Sequence, residues 1–397
     1  MFNKISLTDI DVSGKKVFLR VDFNVPLNKE GKVQDDFRIR AALETIDYLI
    51  KKNASLIVAS HLGRPGGEVK PELRLEPVAE RLAEIIEKEV KMAPDCIGKD
   101  VKKMVDDLGE GEILLLENLR FHKGEKENDP GFARELASLA DIYVNDAFGA
   151  AHRAHASTVG ITEYFDVCAA GFLMNKEIDY LGKAIQKPEK PLVVILGGAK
   201  VSTKIDVIKN LLDKCDSILL GGAMVYTFLK AKNMDTGDSL VEEDKINVAG
   251  EIIKQAEDSG VKLLMPVDHV VTKEIDQETE MTTISDEEGI PEGWKGVDIG
   301  PKTIEKYVAV VERAKTVVWN GPMGIFEMPT FSDGTFKIAE SIAEGSALSI
   351  IGGGDTASAV KAANVFEKMS HVSTGGGASL DFLAGKNLPG IDALTDK

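Results

Sequence analysis

Apolar runs and amphipathic segments alternate along the first 170 residues of the chain. The apolar runs are typical of buried strands and lie at 16–22, 55–60, 112–118 and 141–148. Apolar residues recur with helical spacing between them, near 37–52, 75–90, 100–108 and 130–140. Buried strands that alternate with helices favour a parallel sheet with helices on both faces. This part of the chain is therefore predicted to be an α/β domain.

The same alternation returns after a long amphipathic helix, which is predicted near 171–186. Residues 187–191 contain two prolines, and a second series of strand-like runs begins after them. These runs lie at 192–196, 217–222, 262–268, from Thr316 onward and at 348–351, with helices near 242–259, 301–314 and 332–344 and a hairpin-like stretch near 270–285. A chain of 397 residues also exceeds what one core usually serves, so two domains are expected.

The stretch 348–360 has the pattern of a strand, a glycine turn and the start of a helix. Its turn is formed by Gly352, Gly353 and Gly354. The first N–H groups of a helix lack partners and the positive end of its dipole lies at the loop, so this junction attracts phosphate. Asp355 comes next, and its carboxylate is either only a helix cap or also a ligand for the Mg²⁺ of a bound polyphosphate.

Glycine turns recur at four corresponding places in the second half, at 197–198, 221–222, 352–354 and 375–377. Glycines also ease tight packing between strands and helices, but four turns at one sheet edge favour a nucleotide site. The P-loop pattern GxxxxGK[ST] is absent. Residues 352–357 match GxGxxA, which keeps a dinucleotide-dependent dehydrogenase as an alternative. That fingerprint expects an acid about 20 residues further on, and Glu367 and Asp381 are respectively too early and too late.

Composition narrows the class of protein. The net charge of −17 argues against nucleic-acid and anionic-membrane partners, both of which require a basic surface. The three cysteines, Cys96, Cys168 and Cys215, are scattered and predict no disulfide framework. No run of 18 apolar residues occurs, and the first residues lack an apolar signal-peptide core. A cytoplasmic protein is therefore expected.

The arginines are distributed unevenly. Nine of the ten lie in the first 153 residues, and only Arg313 lies beyond them. Arginine suits the bidentate recognition of carboxylate and phosphate. The first half is therefore predicted to bind a small, multiply charged anion, although several arginines in helical patterns, such as Arg74, Arg81 and Arg134, are expected to be solvated.

Nine blocks spread over the whole chain resemble the phosphoglycerate kinase family. They read RVDFNVP (20–26), SHLGRP (60–65), LENLRFH (116–122), NDAFGAAHRAHAS (145–157), LGGAKVSTK (196–204), WKGVDIGP (294–301), WNGPMGIFE (319–327), GGGDTA (352–357) and STGGGAS (373–379). The resemblance implies reversible phosphoryl transfer between the acyl phosphate of 1,3-bisphosphoglycerate and MgADP, giving 3-phosphoglycerate and MgATP.

The resemblance also implies a fold of two Rossmann-like domains, each a parallel sheet covered by helices on both faces. The expected boundaries are 1–170 for a phosphoglycerate-binding domain, 171–187 for a hinge helix and 188–379 for a nucleotide-binding domain. A tail, 380–397, is expected to pack back on the first domain. Closure of the two domains, with exclusion of water, is expected to accompany transfer. A monomer is expected.

The site residues follow from the resemblance, position by position. The phosphoglycerate ligands would be Asp22, Phe23, Asn24, Arg38, His61, Leu62, Gly63, Arg64, Arg120 and Arg153. The nucleotide would be lined by Lys200, Lys204, Gly296, Asn320, Glu327, Gly353, Gly354, Asp355 and Thr356. Glu327 would bind the ribose hydroxyls and Asp355 the Mg²⁺. Arg38, Lys200 and the helix end at Gly353 would form the catalytic clamp on the transferring group.

The sequence alone leaves the functions of several residues undecided. His61 could be an ordinary loop histidine, and His122 and His155 are expected to have structural functions. Trp294 and Trp319 are expected to be packing residues. A second alternative to the kinase is a non-catalytic sensor of phosphorylated metabolites, which two such domains could also support.

Overall fold

The computed structural model describes residues 3–276 and 279–397, which form two compact units. Unit 1 holds the chain up to Asp179 together with Asn387–Lys397, and unit 2 is Tyr180–Lys386. In the described ranges no helix is both long enough and apolar enough to cross a membrane.

Unit 1 is built on a parallel sheet of six strands. The strands are β1 (Lys16–Arg20), β2 (Ser55–Ala59), β3 (Lys91–Met92), β4 (Ile113–Leu115), β5 (Ile142–Asn145) and β6 (Cys168–Ala170). Their order across the sheet is β3-β4-β2-β1-β5-β6, and all pairs are parallel. The inner strand β2 is buried at every position, which explains why its sequence is an uninterrupted apolar run.

The helices of unit 1 lie between these strands in sequence, except the last, which follows β6 and continues into unit 2. They are α1 (Phe37–Ala41), α2 (Leu43–Lys51), α3 (Glu76–Ile86), α4 (Lys99–Asp106), α5 (Lys123–Glu127), α6 (Pro130–Ala137) and α7 (Phe172–Gln186). Apolar side chains of α2 and α3, such as Ile46 and Leu82, join Val17 and Leu19 of β1 in one core cluster. The boundary between the units falls inside α7, the helix predicted as the hinge.

Unit 2 repeats the plan with a second parallel sheet. Its strands are β7 (Leu192–Leu196), β8 (Ser217–Leu220), β9 (Lys262–Leu264), β13 (Thr316–Asn320), β14 (Leu348–Gly352) and β15 (His371–Val372), in the order β15-β14-β13-β7-β8-β9. The helices are α8 (Ile205–Leu211), α9 (Met224–Ala231), α10 (Ile246–Ser259), α11 (Pro301–Val311), α12 (Asp333–Glu344), α13 (Gly354–Ala362) and α14 (Gly377–Leu383). Trp319 is fully buried in the core of this unit, as expected for a packing residue.

A small antiparallel sheet in unit 2 differs from the predicted pattern. The strand expected at 262–268 ends at Leu264, and a new strand, β10 (Asp268–Thr272), follows Pro266. β10 pairs with β11 (Met281–Ser285) and with β12 (Lys295–Ile299). Proline provides no N–H for a continued strand ladder, which is the physical reason for this division. The hairpin near 270–285 is thus two strands of a three-stranded sheet.

The segment 380–397, which was predicted as a tail, is divided between the two units. Residues 380–386 belong to unit 2, where the Leu383 carbonyl accepts a hydrogen bond from Asn210 Nδ2 at 2.7 Å and Lys386 Nζ lies 2.8 Å from Asp206. The tail proper includes α15 (Pro389–Asp392) and is part of unit 1, where Asn145 Nδ2 donates to the Gly390 carbonyl at 3.2 Å.

The apolar side chains of this tail predict its contribution to stability. Ile391 is fully buried. The change Ile391→Ala should lower the free energy of unfolding by about 2–5 kcal/mol, because it removes transfer free energy and leaves a cavity. Urea denaturation of the full chain measures the effect. Val69→Ala is the control, since Val69 is 59% exposed in the same unit and its change should stay within about 0.5 kcal/mol. Equal stability of the two variants would contradict docking of the tail.

Candidate active site

The sheet of unit 1 brings its predicted anion ligands to one edge. The loops that follow β1, β2, β4 and β5 carry these residues, except Arg38, which lies on α1 after the β1 loop. The four strands are neighbours in the order β4-β2-β1-β5. The chain leaves β1 toward β2 and later returns to the other side of β1 with β5. Crevices for ligands form at such a switch point, outside the carboxyl ends of the strands.

A chain of hydrogen bonds links the first three of these loops. Arg38 Nη1 donates to Asp22 Oδ2 at 3.0 Å and to the Asn24 carbonyl at 3.2 Å. Asn24 Oδ1 accepts from the Gly63 N–H at 2.8 Å, and the Gly63 carbonyl accepts from Arg120 Nη1 at 2.8 Å. Five predicted ligands therefore form one connected group, in which the two guanidinium groups keep further N–H donors for an anion.

Arg20 is a buried support for this group and was not predicted as a site residue. Its side chain is fully buried, and its Nε donates to Ser157 Oγ at 2.7 Å. Glu125 Oε1 lies 3.8 Å from Arg20 Nη2 and accepts from the same Ser157 hydroxyl at 2.7 Å. Arg20 Nη2 also lies 3.3 Å from His61 Nδ1. Because a guanidinium only donates, His61 Nδ1 accepts, and the ring is neutral with its proton on Nε2.

Positive charge exceeds negative charge in this pocket. Burial lowers the pKa of His61 well below its usual value, and Arg20, Arg120 and Arg38 lower it further. Burial and the same arginine cluster lower the pKa of His155 to about 3. The pKa of Arg120 falls to about 10, because its guanidinium is partly desolvated and lies near Arg20 and Arg153. Mutual depression of these pKa values means that a bound anion would relieve the repulsion.

The other predicted ligands of unit 1 lie in two different environments. Arg64 and Arg153 are exposed on loops that follow β2 and β5. Arg153 is close enough to Arg120 and His155 to lower the pKa of both. Phe23 and Leu62 instead bury their side chains in the core. The Phe23 N–H donates to Ser60 Oγ, and the Leu62 N–H donates to Asn118 Oδ1. Phe23 and Leu62 therefore stabilise the two loops by packing their side chains in the core.

The switch point of unit 2 lies between β7 and β13, and glycines allow its backbones to approach closely. The Gly197 N–H donates to the Asn320 carbonyl at 3.0 Å, and the Gly198 N–H to the Pro322 carbonyl at 3.0 Å. A Cβ at Gly321 would lie 2.2 Å from the Gly197 carbonyl oxygen. The glycines at 197 and 321 therefore serve the packing of the strand ends, the structural reading that the sequence left open.

The turn after β14 is different, because it faces open space. Gly353 is the N-cap of α13 and has φ +93°, a conformation that favours glycine. A Cβ at Gly354 would meet no atom within 4 Å. Asn320 lies beside the turn, and its Nδ2 is buried without a hydrogen-bond partner among the described residues. The free helix N–H groups and this amide donor fit a phosphate.

Lys204 and Asp355 add charges to this turn. Lys204 Nζ donates to Asn320 Oδ1. Burial lowers the pKa of Lys204 to about 8, and the nearby Asp355 carboxylate opposes that shift. Asp355 is exposed in the first turn of α13, whereas Thr356 is buried and accepts the Gly321 N–H at 2.7 Å. Lys200 is exposed at the start of a short turn.

A cavity of about 450 Å³ opens beside Asp355. Gly296 and Glu327 also line it, so three of the predicted nucleotide ligands share this cavity. Its apolar wall is formed by Val225, Tyr226, Leu240, Ile275, Pro322 and Met323. Sequence reasoning missed these residues. The side chains of Leu240 and Ile275 are 50% and 53% exposed. Exposed apolar side chains at the edge of a cavity indicate an apolar binding surface, and this exposure is the signal that identifies them.

A larger cavity of about 740 Å³ lies elsewhere in unit 2. Its lining includes Lys190 and Asp216, which precede β7 and β8, and Lys262, the first residue of β9, so it lies at the amino end of the sheet. The glycine turns and the free helix N-terminus lie at the carboxyl end. The smaller cavity is thus the candidate nucleotide site.

Comparisons with known proteins agree with this arrangement. The family model described as phosphoglycerate kinase matches residues 7–386. A phosphoglycerate kinase of Clostridium botulinum strain Hall is 54% identical over 398 residues, which cover 100% of both chains. One from Anaeromyxobacter dehalogenans is 55% identical over 389 residues, 98% of each chain.

Solved structures give the same result. The phosphoglycerate kinase of Coxiella burnetii matches with a TM-score of 0.88 and 40% identity, and that of Pyrococcus horikoshii with 0.88 and 34%, each over 98% of both chains. The dehydrogenase alternative receives no support from any of these relatives. The chain belongs to the phosphoglycerate kinase family.

Proposed function

We propose that this protein is a phosphoglycerate kinase that transfers the acyl phosphate of 1,3-bisphosphoglycerate to MgADP, giving 3-phosphoglycerate and MgATP, in glycolysis. The main support is that the chain belongs to this family and has two features suited to anions. One unit contains an arginine cluster with too few acidic partners. The other unit contains a helix N-terminus, suited to phosphate, beside a cavity. The acceptor in the reverse direction is a carboxylate. The expectations of a monomer in the cytoplasm stay predictions.

Phosphoglycerate is proposed to bind in the pocket of unit 1. Arg38 and Arg120 are held by Asp22 and Gly63, so their remaining N–H donors are oriented before the ligand arrives. Arg64 and Arg153 are exposed and can close on a phosphate group from the solvent side. His61, neutral and fixed by Arg20, is a donor through Nε2. Together, these donors form a pocket that suits a ligand with a phosphate and a carboxylate.

The nucleotide is proposed to bind in unit 2. Adenine would contact the apolar wall of the 450 Å³ cavity near Gly296, and Glu327 would accept from the ribose hydroxyls. Phosphates would receive N–H donors from Gly353, Gly354 and Thr356 at the start of α13.

A phosphate group beside Lys204 would also stabilise the charged form of that ammonium and raise its lowered pKa. Asp355 offers the exposed carboxylate oxygens that Mg²⁺ prefers, so the residues present fit this ion. When bound, Mg²⁺ neutralises charge on the phosphates.

No general base is needed, because the carboxylate of 3-phosphoglycerate is already ionised at pH 7. In-line phosphoryl transfer requires mainly alignment of donor and acceptor and neutralisation of charge on the equatorial oxygens. Arg38, Lys200 and the N–H of Gly353 are proposed for that neutralisation. It remains a prediction that these three groups contact the transferring phosphate together and that the two domains close to allow this.

A coupled assay tests the proposal directly. The purified chain is mixed with 1,3-bisphosphoglycerate and MgADP, and ATP formation is followed. Turnover supports the kinase. Binding of phosphoglycerate and ADP without turnover would instead identify a metabolite sensor, and nicotinamide binding without Mg²⁺-dependent ADP binding would favour the dehydrogenase.

Arg38→Ala should lower kcat on the order of 10²- to 10³-fold, because it removes a fixed positive charge aimed at the transferring group. The KM for ADP should change little, since Arg38 is part of unit 1 and the nucleotide is proposed for unit 2. Steady-state kinetics with both substrates measures the two effects. Arg40→Ala is the matched control, because Arg40 lies on the same short helix, is half exposed and pairs with Asp36. Near-normal turnover of Arg38→Ala would remove Arg38 from this role.

Asp355→Asn should weaken ADP binding in the presence of Mg²⁺ by tenfold or more, about 1.4 kcal/mol, and leave phosphoglycerate binding unchanged. Calorimetric titrations with and without Mg²⁺ measure the difference. The control is Asp333→Asn, which changes an equally exposed carboxylate in the first turn of α12. If both variants lost the same affinity, Asp355 would have no specific part in holding the ion.

A further inference from the structure

Three metal-ligating side chains meet in unit 1, apart from the proposed substrate ligands. Asp95, Cys96 and His122 offer a carboxylate oxygen, a thiol sulfur and an imidazole nitrogen, and these atoms all lie within 4.8 Å of one another. His122 was expected to be structural, and Cys96 showed no role in the sequence. The structure brings the two together.

The sheet explains why residues so far apart in sequence are neighbours. Strands β3 and β4 pair in parallel at the edge of the unit 1 sheet. The pairing continues past the strands, because the Glu117 N–H donates to the Asp95 carbonyl at 3.4 Å. One short turn, Leu119–Phe121, then brings the chain to His122. The three side chains thus come from two adjacent loops at the carboxyl ends of neighbouring strands.

The side chains are held in place by contacts on all sides. His122 Nε2 lies 2.6 Å from Asp95 Oδ1, and the imidazole stacks on Phe132 with ring centres 5.0 Å apart. Cys96 Sγ donates to the Glu117 carbonyl at 3.1 Å. The side chains of His122 and Asp95 are 29% and 48% exposed, whereas Cys96 is fully buried. An ion would therefore reach the carboxylate and imidazole from solvent, with the sulfur beneath them.

We propose that Asp95, Cys96 and His122 form a binding site for a divalent transition metal ion of the zinc class. A thiolate and an imidazole together select Zn²⁺ or Co²⁺, while Mg²⁺ prefers oxygen ligands. Three protein ligands leave a fourth, tetrahedral position for water. Ligand atoms of such an ion lie about 3.3 Å apart. The Asp95–His122 hydrogen bond would therefore open by less than about 1 Å.

The protons balance in a simple way. In the metal-free chain the His122 Nε2–H donates to the Asp95 carboxylate. Metal binding requires the other neutral tautomer, in which solvent takes the Nε2 proton and supplies one to Nδ1, so that the Nε2 lone pair is free for the metal. The Cys96 thiol loses its proton to solvent as the metal–sulfur bond forms. Without an ion the thiol stays protonated, because burial and the nearby carboxylates raise the pKa of Cys96 well above its usual value. The same protonation and burial argue against a nucleophilic cysteine at this place.

Titration of the full, metal-free chain with Co²⁺ tests the site. A thiolate-to-cobalt charge-transfer band should appear and saturate at one Co²⁺ per chain, and Zn²⁺ should abolish it by displacement. Zn²⁺ should also raise the midpoint of thermal unfolding, because an ion that binds only the folded state stabilises it. No saturable Co²⁺ binding, or binding without the thiolate band, would overturn the proposal.

Variants locate the ligands. Cys96→Ala should lose the band, and Asp95→Asn and His122→Gln should each weaken Co²⁺ binding at least tenfold. Cys168→Ala is the matched control, because Cys168 is also a buried thiol of unit 1 that donates to a backbone carbonyl, that of Thr162 at 3.6 Å. A band that persists in Cys96→Ala would place the ion elsewhere. If Cys96→Ala does not fold, His122→Gln decides, since its side chain is partly exposed.

Discussion

The burial of positive charge in unit 1 is the constraint on which the rest of that unit depends. Arg20 is fully buried, and Arg120 is 7% exposed. A buried guanidinium is tolerated only when acceptors surround it. Glu125 and Ser157 surround Arg20, and both come from segments that fold over the end of the sheet. Loss of one partner from such a group typically costs about 3–5 kcal/mol, so these segments are fixed by the charge that they cover.

The same constraint explains how the anion pocket can exist before the anion arrives. Each nitrogen of Arg20 has an internal partner, in Ser157 Oγ, the Val21 carbonyl and His61 Nδ1, but Arg120 Nε is buried without a partner among the described residues. Arg38 Nη1 lies 3.0 Å from the Asp22 carboxylate, while the neutral His61 ring brings no charge to it. The positive charge of Arg38 and Arg120 therefore exceeds the negative charge of Asp22, and a bound anion would balance it. The arginines therefore have different functions. Arg20 stabilises the fold of unit 1, whereas Arg38 and Arg120 are available to bind the ligand.

The sequence predicted the parallel sheets well, because continuous apolar runs are a local signal. It did not predict β3 and β6, since Lys91–Met92 and Cys168–Ala170 do not stand out as separate apolar runs of strand length. The hairpin near 270–285 was predicted, but the third strand of the antiparallel sheet was missed, because its pairing joins residues 268–272 to 295–299 across an intervening strand. The tail boundary depended on the contacts of Asn210 and Lys386, which no local pattern contains.

The candidate site shows the same division between local and non-local information. The turn at Gly353 could be predicted because the strand, glycines and helix are consecutive in sequence. The opposite functions of Arg20 and Arg38 could not, because which arginine is buried depends on Glu125 and Ser157, more than 100 residues from Arg20. Likewise, the glycine at 197 is required by the backbone of 321–322 and the one at 354 by no protein atom. At 354 the open space lies beside the exposed Asp355 and the first turn of α13, so it leaves room for a phosphate that no pattern of protein contacts requires.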